Sequence, residues 1–219
     1  MHERRILKRD VFGTVSALVP RGSPDAGPVA VERDTTAARV WLRWPARRLA
    51  GREARALLAL AHVAGVPRLL AWDGVRLRRS WVEGEALHRR QPPPGPEYFR
   101  EGLRLLRRLH ATALVHNDLA KEPNWLVTPA GRPALVDFQL ALRPRHRGRL
   151  FRALAYDDLR HLLKHKRTYC PDRLTNRERA ILARRSLPAR AWARTGKPLY
   201  RFVTRGLLGW ADREGAGDR

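Results

Sequence analysis

His116, Asn117, Asp118, Lys121, Asn124 and Asp137 crowd into one stretch, Leu109 to Leu142, LHATALVHNDLAKEPNWLVTPAGRPALVDFQLAL. Two short apolar segments, Trp125 to Thr128 and Ala134 to Val136, flank a turn at Pro129–Pro133. That pattern predicts a hairpin with Asn124 and Asp137 at neighbouring ends. Asp118, Asn124 and Asp137 then converge on one small volume. Two carboxylates and an amide carbonyl suit a hard divalent cation that keeps some waters and shares phosphate oxygens. A carboxylate beside such a cation, facing an acceptor hydroxyl, can orient that hydroxyl and take its proton. Lys121, three residues beyond Asp118, can neutralise charge on a group in transit.

The run His116-Asn-Asp118-Leu with Lys121 and Asn124, followed by Val136-Asp-Phe-Gln139, resembles the catalytic and metal loops of the protein-kinase-like superfamily. Three departures stand out. The spacing from Asp118 to Asn124 is one residue longer than usual, Asn117 replaces an Arg, and Gln139 replaces a Gly. Within the superfamily the chain looks most like small bacterial kinases related to RIO kinases and lipopolysaccharide-core (Kdo/heptose) kinases. The resemblance implies an α+β, two-lobe fold. A small strand-rich N-lobe would span 1–83, and a reduced helical C-lobe 84–219. It implies ATP as donor, Mg²⁺ or Mn²⁺ held by Asn124 and Asp137, and Asp118 with Lys121 as the catalytic pair. It also assigns His116 to holding the loop, not to acting as base.

The elements that must position these groups are legible in part. Val11 to Val19 and Val29 to Val31 read as strands around the turn cluster Arg21–Pro28. Gly13-x-Val15 is the remnant of a glycine loop that would cover phosphates by resemblance; an ordinary hairpin explains it equally. By the same resemblance Arg33 stands where a cation should hold phosphate, beside Glu32 at the formal position. Its partner would be Glu53, on a helix read from Gly51 onward by propensity and apolar spacing. Between them, Trp41 and Trp44 sit among arginines. Core packing is the commoner outcome for such residues, and contact with an anionic membrane surface the rarer one. Asp73-Gly74 marks a tight hairpin. Trp81, Val82 and Glu83 resemble the inter-lobe segment whose backbone binds the adenine edge.

Beyond the Pro-rich spacer Gln91–Pro96, Tyr98 to His110 carries apolar residues at helical spacing. His110 reads as a structural hydrogen-bonding residue. A basic run, 143–152, stands where larger kinases carry an activation segment. A helix is expected from Leu154, and Asp157 or Asp158 would accept bonds from the catalytic-loop backbone by resemblance. Lys164 to Tyr169 reads as a basic patch, Thr175 to Glu178 as a capping box, and 198–210 as an amphipathic basic tail.

Lys plus Arg number 45 against 21 acidic residues, a net charge of +24. Only Lys8, Lys121, Lys164, Lys166 and Lys197 are lysine. A field this positive favours polyanions such as phosphosugars, anionic membranes or nucleic acid. The single cysteine excludes an internal disulfide and suits a reducing cytosol. No apolar run is long enough to span a bilayer. The expected protein is cytoplasmic, with the inner membrane as its candidate surface. Its expected activity is serine/threonine-kinase-like phosphoryl transfer from ATP to a hydroxyl on a protein or an anionic glycolipid. A lipopolysaccharide-core or other sugar kinase is the first alternative. A pseudokinase scaffold and a nucleic-acid-binding protein follow, the last resting on charge alone.

Overall fold

The computed structural model describes residues 2–22 and 27–184. The tail at 198–210 and the centre of the Arg21–Pro28 turn cluster lie outside them. The chain is α+β. A five-stranded antiparallel sheet has the order β1-β2-β3-β5-β4, built from β1 (His2–Asp10), β2 (Gly13–Pro20), β3 (Ala30–Asp34), β4 (Leu69–Trp72) and β5 (Arg76–Ser80). Helix α1 (Arg43–Ala59) joins β3 to β4. A second sheet, in the order β6-β7-β8, comprises β6 (Glu85–Ala86), β7 (Trp125–Val127) and β8 (Pro133–Leu135). Helices α2 (Pro96–Ala111), α3 (Arg149–Tyr169) and α4 (Asn176–Ala183) follow, with four short 3-10 turns among the described residues.

Strand β1 is the element that sequence pattern misses. HERRILKRD has no apolar alternation, and nearly all of it is exposed. It forms because β2 offers a free edge, which it follows from His2↔Pro20 to Asp10↔Gly13 with one irregularity. Arg4 anchors it across the sheet to buried Glu32 at 2.7 Å. An edge lined with Arg and Lys discourages pairing with a further strand.

Helix α1 begins at Arg43, a full two turns before the expected start at Gly51. Pro45 reads as a breaker, yet in a first turn it forfeits no intrahelical hydrogen bond. The face of α1 turned inward is mostly small: Ala46, Ala50, Gly51 and Ala54. These residues let the helix lie close on Leu77, with Leu69 and Trp72 packed beside it. That close approach is what buries Glu53.

The main core runs from Leu57 and Leu60 at the end of α1, through Leu105, Leu106 and Leu109 of α2, to Trp125, Leu135 and Phe138. Each such fully buried side chain contributes about 1.5–3 kcal/mol. An exposed ion pair contributes ~0–1 kcal/mol, so this cluster sets the backbone around β7 and β8. Gly84 takes φ 155°, and a Cβ there would meet the Val127 oxygen at 2.8 Å. Only glycine can make that turn into β6.

Helix α3 starts at Arg149 and absorbs the end of the basic run 143–152, five residues before the expected Leu154. Its last turn is a surface patch only in part: Arg167 and Thr168 are exposed, while His165 and Lys166 turn inward. Lys166 is buried and binds both oxygens of Glu178 at 2.8 Å. The same Glu178 completes the expected capping box with Thr175. Among the described residues, no helix is long and apolar enough to cross a membrane.

Candidate active site

The β7–β8 hairpin forms with the register Trp125↔Leu135 and Val127↔Pro133. Just beyond it, the Val136 N–H donates to the Asn124 carbonyl at 3.1 Å, which sets Asp137 beside Asn124 as expected. The Asn124 Nδ2 donates to the Asp118 backbone oxygen at 2.8 Å and to Asp118 Oδ2 at 3.0 Å. Both partners are acceptors, so the amide must turn its NH₂ to Asp118, which leaves Oδ1 as an available acceptor. Asp137 is left-handed, φ 66° and ψ 71°. A non-glycine residue there costs of order 1–3 kcal/mol and persists only where its surroundings enforce it. Gln139, at the position where a Gly was expected by resemblance, donates from Nε2 to Asp137 Oδ1 at 2.7 Å. Asp137 Oδ2 makes no hydrogen bond among the described residues.

His116 holds this corner together, as its structural assignment requires. Its Nε2 lies 3.0 Å from the Val136 carbonyl, so that nitrogen carries the proton and donates. Its ring lies 4.6 Å from that of Phe138. Of the two candidate acids on α3, Asp158 is the one that pins the loop. Its Oδ2 accepts from the His116 N–H at 2.9 Å, and its Oδ1 from the Asn117 N–H at 2.9 Å. His110 Nε2 joins Oδ2 at 3.1 Å. Asn117, in the Arg position of the resemblance, adopts φ 64°, a conformation asparagine tolerates better than most residues.

Lys121 Nζ lies 3.2 Å from Asp118 Oδ2, so the longer loop still aims the ammonium at this carboxylate. Burial raises the Asp118 carboxyl above its ordinary range; Lys121 and the Asn124 amide oppose the rise, and the charge of Asp137 adds to it. Asp118 and Asp137 therefore share one field. Glu122 faces elsewhere, toward His165 at 3.7 Å, and the neighbouring His165 ring holds its carboxyl low.

The large sheet supplies the opposing side. Pairs Val31↔Arg79 and Arg33↔Leu77 set Arg79 and Arg33 diagonally on one face, where α1 lies. Glu53, completely buried, sits between them: 3.6 Å to Arg33 Nε and 3.3 Å to Arg79 Nε. Burial raises the Glu53 carboxyl despite both arginines. At Asp137 the balance reverses. Burial would raise its carboxyl, but Arg33, the Gln139 amide and Arg79 together hold it low. The expected Arg33–Glu53 pair is present, and Arg79 is a member that sequence reading misses. It is one arginine in the run Arg76, Arg78 and Arg79, and only the strand register separates it from its neighbours.

Gly13 lies at the β1–β2 turn, with φ 128°, and a Cβ there would collide with the Asp34 carbonyl. Close contact with β3 thus requires the glycine whatever lies above the turn. Trp81 donates its N–H to the Val29 carbonyl at 3.0 Å. The backbone groups of Val82 and Glu83 make no hydrogen bond among the described residues and are available to a ligand edge. A separate groove of about 630 Å³ opens behind α1, lined by Arg52, Arg55, Leu58, Leu114, Leu142 and Arg143, and holds none of the three metal-suited side chains.

Among the described residues no group of three or more His, Cys, Asp or Glu side chains is arranged to hold a metal ion by itself. The donor set is two carboxylates and one amide, with Asn124 Oδ1 and Asp137 Oδ2 open, and it fits a hard cation that takes its remaining oxygens from phosphate and water. No family model matches the chain, and no curated protein matches it.

Proposed function

We propose that this chain is a metal-dependent ATP phosphotransferase with a protein-kinase-like, two-lobe arrangement, transferring the γ-phosphate to a hydroxyl. One observation carries the reading: the half-buried Asp137 carboxylate lies in the field of Arg33 and Arg79 on one side and of Asp118, paired to Asn124, on the other. A buried charge cluster of this kind stabilises a fold less than apolar packing would. It is, however, what a triphosphate and its counter-ion require.

Asn124 and Asp137 would hold Mg²⁺ or Mn²⁺, which when bound supplies charge neutralisation at the phosphates. Arg33 and Arg79 hold phosphate oxygens while sharing Glu53, as planar guanidinium groups can. The segment Trp81–Glu83 offers its backbone to the base. Asp118 orients the acceptor hydroxyl and accepts its proton, a task suited to a carboxyl raised by burial. Lys121, on the same carboxylate, stands where charge builds on the group in transit. ATP as donor implies the cytoplasm, with an anionic inner-membrane surface within reach.

The acceptor is a hydroxyl, and by motif the chain is serine/threonine-kinase-like. A sugar hydroxyl on an anionic glycolipid is the second reading, and one feature favours it. Only residues 141–148 connect the turn after Asp137 to α3, too short a connection for the peptide-docking segment of a larger kinase.

The test is ATP turnover by the full chain with Mg²⁺ or Mn²⁺, beside Asp118→Asn. The expected result is metal-dependent turnover that falls by about a hundredfold or more in the variant, with the melting temperature unchanged. Failure of ATP and metal either to turn over or to raise the melting temperature would sink the reading.

A further inference from the structure

The segment leading into α1 exposes what a folded protein usually covers. Val40 is 75% exposed, Trp41 63% and Trp44 70%. Their neighbours Ala38, Leu42 and Ala46 are buried, so the segment is anchored and the large residues point outward from a fixed base. Arg43, Arg47 and Arg48 are exposed around them, and none has an acidic partner among the described residues. Arg48 lies over the Trp44 ring at 5.5 Å. No Asp or Glu occurs from Thr35 to Arg52.

We propose that this corner is a docking surface for an anionic lipid bilayer, with Val40, Trp41 and Trp44 at headgroup depth and Arg43, Arg47 and Arg48 on the lipid phosphates. Exposed apolar groups of this size mark an interaction site. Tryptophan prefers the water–membrane interface, where its ring and its N–H find different surroundings. These guanidiniums, without an acidic partner among the described residues, fix the sign of the partner. A nucleic acid shares that sign, and could stack on the indoles, but it has no use for an outward valine. The side chains also project from the end of a helix and do not line a channel.

The corner is tied to the sheet that carries Arg33. The Arg39 N–H donates to the Val11 carbonyl at 3.3 Å, joining the segment to the β1–β2 turn. Docking would therefore hold that turn near the membrane surface. Vesicle binding itself needs no nucleotide, so its outcome is independent of the phosphotransferase reading.

The experiment is sedimentation of the full chain with vesicles of phosphatidylcholine alone, and with vesicles of equal parts phosphatidylcholine and phosphatidylglycerol. The comparison variants are Trp41→Ala/Trp44→Ala and, as a charge control on another helix, Arg107→Gln/Arg108→Gln. Because both tryptophans are exposed, the first variant should keep the wild-type melting temperature. The wild type is expected to bind the anionic vesicles only, the tryptophan variant to bind them about tenfold more weakly or worse, and the α2 variant to bind nearly as the wild type does. Equal binding by the tryptophan variant overturns the proposal. So does an absence of binding to anionic vesicles, or a tryptophan dependence found with single-stranded RNA and not with vesicles.

Discussion

Asp118 is poised between two influences that act on its proton in opposite directions. Burial lifts the carboxyl, and the Lys121 ammonium at 3.2 Å pulls it down. If Asp118 must be ionised to accept a proton, turnover falls as pH drops through its pKa. Removing the cation raises that pKa further. Lys121→Gln should therefore shift the acidic limb of the turnover profile to higher pH, whatever it does to the plateau. The comparison is of limb position in kcat/KM measured across pH. A limb that stays in place or moves to lower pH would show that Lys121 does not act on this carboxylate. Lys121 is half exposed, so solvent and salt weaken its pull and the shift should shrink as ionic strength rises.

At the scale of elements, α3 acts as a clamp on the loop that bears Asp118 through one side chain. Asp158 is almost fully buried and accepts two backbone N–H groups from residues 116 and 117. Asp158→Ala leaves both donors without a partner, at a cost of about 1–3 kcal/mol each. The denaturation midpoint should fall by an amount matching about 3–5 kcal/mol, and turnover should fall with it. Asp157→Ala, one residue away, removes a 3.7 Å pairing to Arg160 but leaves both loop N–H groups bonded to Asp158, so it should cost clearly less. Equal losses in the two variants would refute the clamp. Elements with strong local signals were legible in the sequence: the Asn124–Asp137 hairpin, the Asp73-Gly74 turn, the apolar stripe of α2 and the Thr175 capping box. The Arg33–Glu53 pair followed from spacing by resemblance. What stayed hidden depends on tertiary context. Strand β1 takes its order from β2's edge, the start of α1 lies behind Pro45, and Arg79 is distinguished only by which face of β5 it occupies. The exposure of Trp41 and Trp44 reverses the commoner expectation, because small residues on α1 already fill the sheet contact.

Over the whole molecule, 45 basic residues face 21 acidic ones. The ion pairs that relieve this are mostly peripheral, such as Arg76–Asp34 and Arg100–Glu97. Each exposed pair is worth little, whereas the uncompensated charge repels itself throughout. Screening should therefore stabilise the fold on balance: the melting temperature should rise as sodium chloride is added to a low-salt buffer. A fall would mean that the ion pairs outweigh the net repulsion. The same imbalance gives the two-to-one sharing at Glu53 a meaning in time. Arg33, Glu53 and Arg79 all precede the hairpin that bears Asp137, and chains fold from the N-terminus as they are made. On a growing chain, Glu53 is the carboxylate that balances both guanidiniums before Asp137 has left the ribosome. It keeps the first half of the site from arriving as a bare pair of cations.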